Sequence, residues 1–319
     1  MNRSHTAQLA VVAIGGNALI RDRKHESILD QFEMVADIAV HLVEMIELGW
    51  NVVLTHGNGP QIGFILERSE ISMPQMPPVP MDYAGADIQG AVGWMFVRAL
   101  RNEFRRRSIA REAIALVTQT IVDGGDSAFT HPSKPIGSQM DEAKAKRLAL
   151  KYHWTIHEDA GRGWRRVVPS PRPQAIIETS AIRDMATAGY VVIACGGGGI
   201  PVVEGEDGSL RGVEAVIDKD LASSLLARSL GADVLISLTG VDKVALNFNQ
   251  PSQCPIDRMT VSEARRYQMD GQFDEGSMGP KVAGLIEFVA AGGEFGLICA
   301  PPNIAKALEG NSGTRVVPD

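Results

Sequence analysis

The chain has 319 residues, 45% hydrophobic and 22% charged, enough to bury a substantial core and slightly above the usual ceiling of the roughly 100 to 250 residues of one domain. A net charge of -7 excludes the strongly basic footprint that binding to a nucleic-acid backbone needs. No apolar run approaches the roughly 20 residues that span a bilayer, and the first apolar run meets glycines too early for a signal peptide, so a soluble, cytoplasmic protein is expected.

Residues 9–14 (LAVVAI) form the first short β-branched run, closing on Gly15, Gly16 and Asn17. Phe32, Val35, Ile38, Leu42, Val43 and Ile46 then recur at spacings of three and four up to Gly49, which predicts a helix. A second strand, 51–55, closes on His56, Gly57, Asn58 and Gly59. The proline-rich stretch 73–80 reads as a loop between two helices. Ile88, Val92, Met95, Phe96 and Leu100 mark an apolar helix face, packed on its own sheet or on a second copy. A strand is expected at 113–120. From about 121 to 168 no strong apolar strand follows; DGGD, the turn at Pro132 to Pro135, a charged helical run at 141–152 and GRGWRR come instead. Trp154 and Trp164 fall here, enough for a small core of its own, so 121–168 is expected to be a lid-like subdomain inserted in a single domain of 1–319. Further strands are expected at 190–195, 233–239 and 295–300. Cys195, Cys254 and Cys299 are widely spaced, with no CxxC, so neither a disulfide framework nor a zinc site is expected. Strands alternating with helices predict an open, mainly parallel α/β sheet sandwiched by helices.

In such a sheet, ligands bind at the carboxyl ends of the strands. Three glycine loops close strands: 15–17, 57–59 and 196–199. Such loops let backbone N–H groups approach an anion. There is no GxxxxGK[ST] and no early GxGxxG, so neither a Walker-type nor a dinucleotide-binding site is indicated. His56 has no second ligand at metal spacing and reads as a loop-orienting residue. Only nine of the 31 basic residues are lysine, and three of these sit inside Gly, Pro or Asp motifs: Lys134 in HPSKPIG, Lys219 in VIDKD and Lys281 in GSMGPK. A lysine reaches a transferring phosphoryl oxygen as a compact point charge.

The segments VVAIGGNAL, LTHGNGPQIG, HPSKPIG, EDAGRGWRRVVPSP, IACGGGGIPV, GVEAVIDKDLAS and GSMGPKVA resemble, in this order, the signature segments of carbamate kinases, within the amino acid kinase fold. The resemblance runs from about residue 9 to 317. Most amino acid kinases have a lysine in the first strand ahead of the glycines; Ala13 stands there, as in carbamate kinases, and Lys134 in the inserted segment takes that role by the match. The resemblance implies that Lys134, Lys219 and Lys281 contact the transferring phosphoryl group and that Asp220 orients the lysines. It further implies that Gly15, Gly16, Asn17, Gly57 and Asn58 cradle carbamate and the phosphoryl group. Thr239, Gly240, Asp242, Gly276, Met278 and Gly279 would serve the nucleotide. Departures from the pattern are Gly240 in place of a usual Asp, Gln139 and Met140 in place of aromatics, and Asp87; they bear on substrate and nucleotide preference more than on the fold.

What is implied is reversible phosphoryl transfer between carbamoyl phosphate and ADP, giving ATP and carbamate, with ATP/ADP and Mg²⁺, no metal-ligand residues assigned, and a homodimer. The residues agree on the class of mechanism: an ionised acceptor needs no general base, only alignment and charge neutralisation. Two alternatives stay open. Another acyl-phosphate-forming kinase acting on acetylglutamate or aspartate is opposed by Ala13 and the inserted segment, and a non-catalytic nucleotide sensor is opposed by intact Lys134, Lys219, Asp220 and Lys281.

Overall fold

The computed structural model describes residues 8–20, 22, 24–73, 75–158, 163–274 and 276–319, and the side chains of Asn17 and Ser138 lie outside what is described. Pro74 of the proline-rich loop, and Gly161 and Arg162 of GRGWRR, are therefore also outside the described residues.

Along the chain, β1 (Leu9–Ile14), α1 (Ile28–Glu47), β2 (Asn51–His56), α2 (Gly59–Ser72) and α3 (Met81–Arg107) come first. Next are β3 (Ala113–Ala115), β4 (Gln119–Val122), β5 (Lys134–Met140), α4 (Glu142–Tyr152), β6 (Thr155–Glu158) and β7 (Trp164–Val168). Then follow β8 (Pro173–Ile176), α5 (Thr179–Thr187), β9 (Val191–Ile193), β10 (Ile200–Glu204), β11 (Leu210–Gly212), α6 (Lys219–Leu230) and β12 (Val234–Leu238). The last part holds the hairpin β13 (Ala245–Leu246) and β14 (Cys254–Pro255), then β15 (Arg258–Thr260), α7 (Val261–Met269), α8 (Met278–Ala290), β16 (Phe295–Cys299), α9 (Ile304–Leu308) and β17 (Thr314–Val317).

The fold is a mixed α/β sandwich on an eight-stranded sheet ordered β15-β17-β16-β12-β1-β2-β9-β3, parallel except where β16 meets β17. Its central strands, β1, β2, β9, β12 and β16, read as apolar runs because both faces are covered. Along β1, Ala10, Val12 and Ile14 join one core with Val35 and Leu42 of α1 and Phe96 of α3. Val11, pointing the other way, joins a second core with Leu226 of α6 and Leu285 and Phe288 of α8. The α3 face of Ile88, Val92, Met95, Phe96 and Leu100 is buried in the first core, so it packs on its own sheet and is not a free surface.

The run 113–120 is divided: β3 ends on the main sheet at Ala115, and β4 belongs to a second sheet, β11-β10-β4-β8. Residues 134–168 build a three-stranded antiparallel sheet, β5-β7-β6, beside α4. There Trp154 packs on Tyr152, with Arg166 over its ring.

All the glycine loops lie at one edge of the main sheet, because β1, β2, β9 and β12 run parallel. The turns returning helices to strands lie at the opposite edge, where Gly49 (φ 94°) and Gly231 (φ 69°) supply the left-handed residue after α1 and α6.

Candidate active site

A cavity of ≈ 320 Å³ opens at that loop edge. It brings together Gly15 and Gly16 after β1, Gly57 and Asn58 after β2, Gly197 after β9, and Thr239 and Gly240 after β12. Lys134, Lys219, Asp220, Gly276 and Lys281 complete the expected residues on its wall. The first two loops touch backbone to backbone: a side chain at Gly57 would run into the main chain of Gly16 and crowd the Lys219 stem.

Helix α6 starts at the cavity because Asp218 caps it, accepting from the N–H groups of Asp220 at 2.9 Å and Leu221 at 3.4 Å. The helix is tied to β2 by a 2.6 Å contact between the Ser223 and Thr55 hydroxyls. This places Lys219 and Asp220 in the first turn, facing the start of α8. Lys219 Nζ donates to Asp220 Oδ1 at 2.6 Å, and Lys281 Nζ donates to Oδ2 at 3.1 Å. Ser237, at the end of β12, lies 3.4 Å from the same carboxylate. One carboxylate thus holds two ammonium groups. Asp220 is 7% exposed and Lys281 9%, so both charges are buried although each sits in the first turn of its helix.

Burial pulls the Lys219 ammonium down to about 8, against the raising effect of Asp220. Burial also pushes Asp220 upward, but Lys219 and Lys281 overcome it and hold the carboxyl at about 2. His56 is buried under the second loop with Nδ1 3.1 Å from the Gly57 carbonyl, and burial lowers it to about 4, so it is neutral at pH 7. Cys195 and Cys299 are buried thiols, each pushed up to about 12 by burial.

Lys134 enters from β5 and donates to Asp218 Oδ2 at 2.6 Å, joining the three-stranded sheet to the cap of α6. Asp218 is a wall residue that the motif reading named only as a neighbour of Lys219. Val216, Ile217, Ser277 and Pro280 also line the cavity without having been singled out. Asp242, Met278 and Gly279 do not form its wall. Asp242 accepts instead from Asn303 at 2.9 Å and Ser312 at 2.5 Å, which bind the segment after β16 beneath β12. Met278 packs on the second core, and the N–H of Gly279 donates to the Asp274 carbonyl at 2.8 Å. Among the departures, Gly240 lines the site cavity, Met140 lines a smaller one, and Asp87 is exposed on α3.

Among the described residues no helix is long and apolar enough to cross a membrane, and no group of three or more His, Cys, Asp or Glu could hold a metal ion. Among the described residues the arrangement offers three ammonium groups and several glycine backbones around one cavity, with no nucleophile–base pair. It can bind a phosphoryl group, neutralise it and align it for transfer between oxygens.

The family model described as the amino acid kinase family matches residues 8–299. The carbamate kinase of Thermococcus kodakarensis is 47% identical over 310 residues, 96% of this chain and 98% of that protein. A carbamate kinase-like protein of Escherichia coli, YahI, is 42% identical over 313 residues, 97% of this chain and 99% of that protein. The structure of carbamate kinase from Giardia lamblia bound to AMP-PNP superposes with a TM-score of 0.91 at 39% identity, covering 98% of this chain and 99% of that one. The chain belongs to the amino acid kinase family, in its carbamate kinase branch.

Proposed function

We propose that the protein transfers a phosphoryl group reversibly between carbamoyl phosphate and ADP, giving ATP and carbamate. The observation that carries this reading is the Lys219–Asp220–Lys281 cluster facing the paired glycine loops. Gly15, Gly16, Gly57 and Asn58 bind the carbamate side and the group in flight; Asn17 shares this assignment by sequence, its side chain lying outside the described residues. Thr239, Gly240 and Gly276 take the phosphate end of the nucleotide from the other side of the cavity. Asp242, Met278 and Gly279 support that end from behind the wall.

The acceptor oxygen of carbamate is already ionised, so no residue removes a proton. The γ-phosphoryl bond to the leaving oxygen breaks as the bond to the acceptor oxygen forms. Lys219 and Lys281 stabilise the negative charge on the phosphoryl oxygens as it redistributes, and Asp220 keeps both ammonium groups aimed. Lys134 joins them by exchanging Asp218 for a phosphate oxygen, and residues 121–168 close over the site as a lid.

Mg²⁺ accompanies the nucleotide in this reading. Among the described residues no group of three or more His, Cys, Asp or Glu could hold it, and Asp220 is engaged by two lysines. Such an ion is usually held by substrate phosphates and water, and no step is assigned to it. The protein is further proposed to act in the cytoplasm as a homodimer.

The test is formation of ATP from ADP and carbamoyl phosphate by the purified protein. Production dependent on both substrates is expected. Absence of ATP with carbamoyl phosphate, together with phosphorylation of acetylglutamate or aspartate by ATP, overturns the assignment.

A further inference from the structure

The break between β3 and β4 falls at Thr118, a fully buried residue whose polar atoms are all engaged. Its N–H and its hydroxyl both donate to Oε1 of Gln89, at 2.8 and 3.0 Å, and its carbonyl accepts from Nε2 of the same amide at 3.0 Å. Gln89 is itself buried, on α3 in the YAGADIQ segment. A single side-chain amide therefore meets the N–H, the hydroxyl and the carbonyl of Thr118 at once.

Thr118 passes this hold to the third glycine loop. Its hydroxyl oxygen accepts from the N–H of Cys195 at 2.7 Å, and its carbonyl accepts from the N–H of Ile200 at 2.9 Å. Both ends of the turn 195–200 thus hang on one residue. Thr120 adds a bond from its hydroxyl to the Gly198 carbonyl at 2.8 Å. The turn requires such holding, because Cys195, a non-glycine residue, sits at φ 50°, and Gly197, Gly198 and Gly199 follow at 67°, 95° and 90°. A left-handed non-glycine residue persists only where its surroundings over-determine it.

The turn meets the site at two points. Gly196 lies against the imidazole of His56, and Gly197, on the cavity wall, lies so close to the side-chain amide of Asn58 that a Cβ would overlap it.

We infer that Gln89 and Thr118 are positioning residues for the carbamoyl end of the reaction: the amide–hydroxyl clamp fixes the 195–200 turn, and the turn fixes Asn58 and His56. This rests on the reaction proposed above. Neither Gln89 nor Thr118 is on the cavity wall, so they act through Asn58. The nucleotide end, built after β12 and before α8, lies beyond the clamp.

Steady-state kinetics of two conservative variants test the inference. Thr118→Val keeps the shape and loses the hydroxyl; Thr118→Ser keeps the hydroxyl. Thr118→Val is expected to lower kcat/KM for carbamoyl phosphate on the order of 10 to 100 fold, the scale of a misplacement of up to about 1 Å, while KM for ADP changes by less than about twofold. Thr118→Ser is expected to recover most of the loss. If Thr118→Val does not fold, Gln89→Asn carries the same comparison, since its shorter amide cannot reach Thr118. Equal losses toward both substrates, or none, overturn the clamp while leaving the reaction standing. A wild-type protein that makes no ATP from carbamoyl phosphate overturns the reaction, and the clamp's role with it.

Discussion

Asp220 neutralises two buried ammonium groups at once, so each member of the cluster depends on the others. Asp220→Asn keeps the size but leaves Lys219 and Lys281 without their counter-charge. Breaking a buried ion pair on one side costs about 3 to 5 kcal/mol, so the melting temperature should fall together with turnover, the latter by about tenfold or more. A variant with wild-type turnover and a lowered melting temperature would reduce Asp220 to a structural role. Lys219 adds a second expectation. Its folded value, about 8, lies below the usual 10.5 because of burial, so the ammonium is lost as pH rises through about 8, and turnover should fall there. Stability should move the other way between 8 and 10.5, since the unfolded chain then binds the extra proton. A rate profile flat to pH 10 would show that Lys219 does not act as a cation. Lys134, Lys219 and Lys281 were legible in the sequence because lysine is scarce in this chain and these three sit in Gly, Pro or Asp motifs. The pairing of Lys134 with Asp218 was not, since 84 positions separate them and neither side chain announces its partner.

Helix α8 delivers Lys281 only because it lies close on α6. A close approach is at Gly284, where an added Cβ would stand 2.8 Å from the Asp220 carbonyl oxygen. Gly284→Ala should therefore push α8 outward, with an overpacking cost of about 1 to 3 kcal/mol, and separate Lys281 from Asp220. The expected result is a lower melting temperature with turnover reduced at saturating substrate. A destabilised variant with unchanged turnover would show that the cluster tolerates the shift. Helix α1 was readable from its apolar stripe and its glycine stop. The run 113–120 misled because Leu116 and Val117 continue an apolar pattern across a break that the side chain of Gln89, on another helix, imposes. Strands β15 and β17 left no signal, being short and defined by their partners in the sheet rather than by their own residues.

For the whole molecule, three buried or paired groups with large shifts lead the response to acid. His56 has a folded value of about 4 against 6.5 unfolded, lowered by burial. Asp220 and Glu103 are both held at about 2; for Glu103 the Arg106 hydrogen bond is the largest cause. In each case the unfolded chain binds protons at a higher pH than the folded one, so stability falls as pH falls. The loss should come in two stages, from about 6.5 to 4 through His56, then from about 4.5 toward 2 through the carboxylates. Melting temperature measured from pH 8 to pH 2.5 checks this. His56→Gln should flatten the upper stage, and an unchanged upper slope would remove His56 as its source. At this scale the sequence was most informative: parallel strands, two covered faces and convergent glycine loops follow from apolar runs alternating with helical periods. The cavity's full wall was not, because it is assembled from the ends of four strands, the start of β5 and three helix starts that meet only in three dimensions.

The two edges of the main sheet divide the labour of the chain. One edge carries the glycine loops and the lysines, where backbone must come close to charge. The other carries turns such as those at Gly49 and Gly231, where glycine is required by chain direction alone. Selection for a new acceptor and selection for greater robustness therefore act on separate sets of positions. A lineage could harden its turns for a hotter habitat without disturbing the chemistry, or retune the loops without reworking how the sheet is wound.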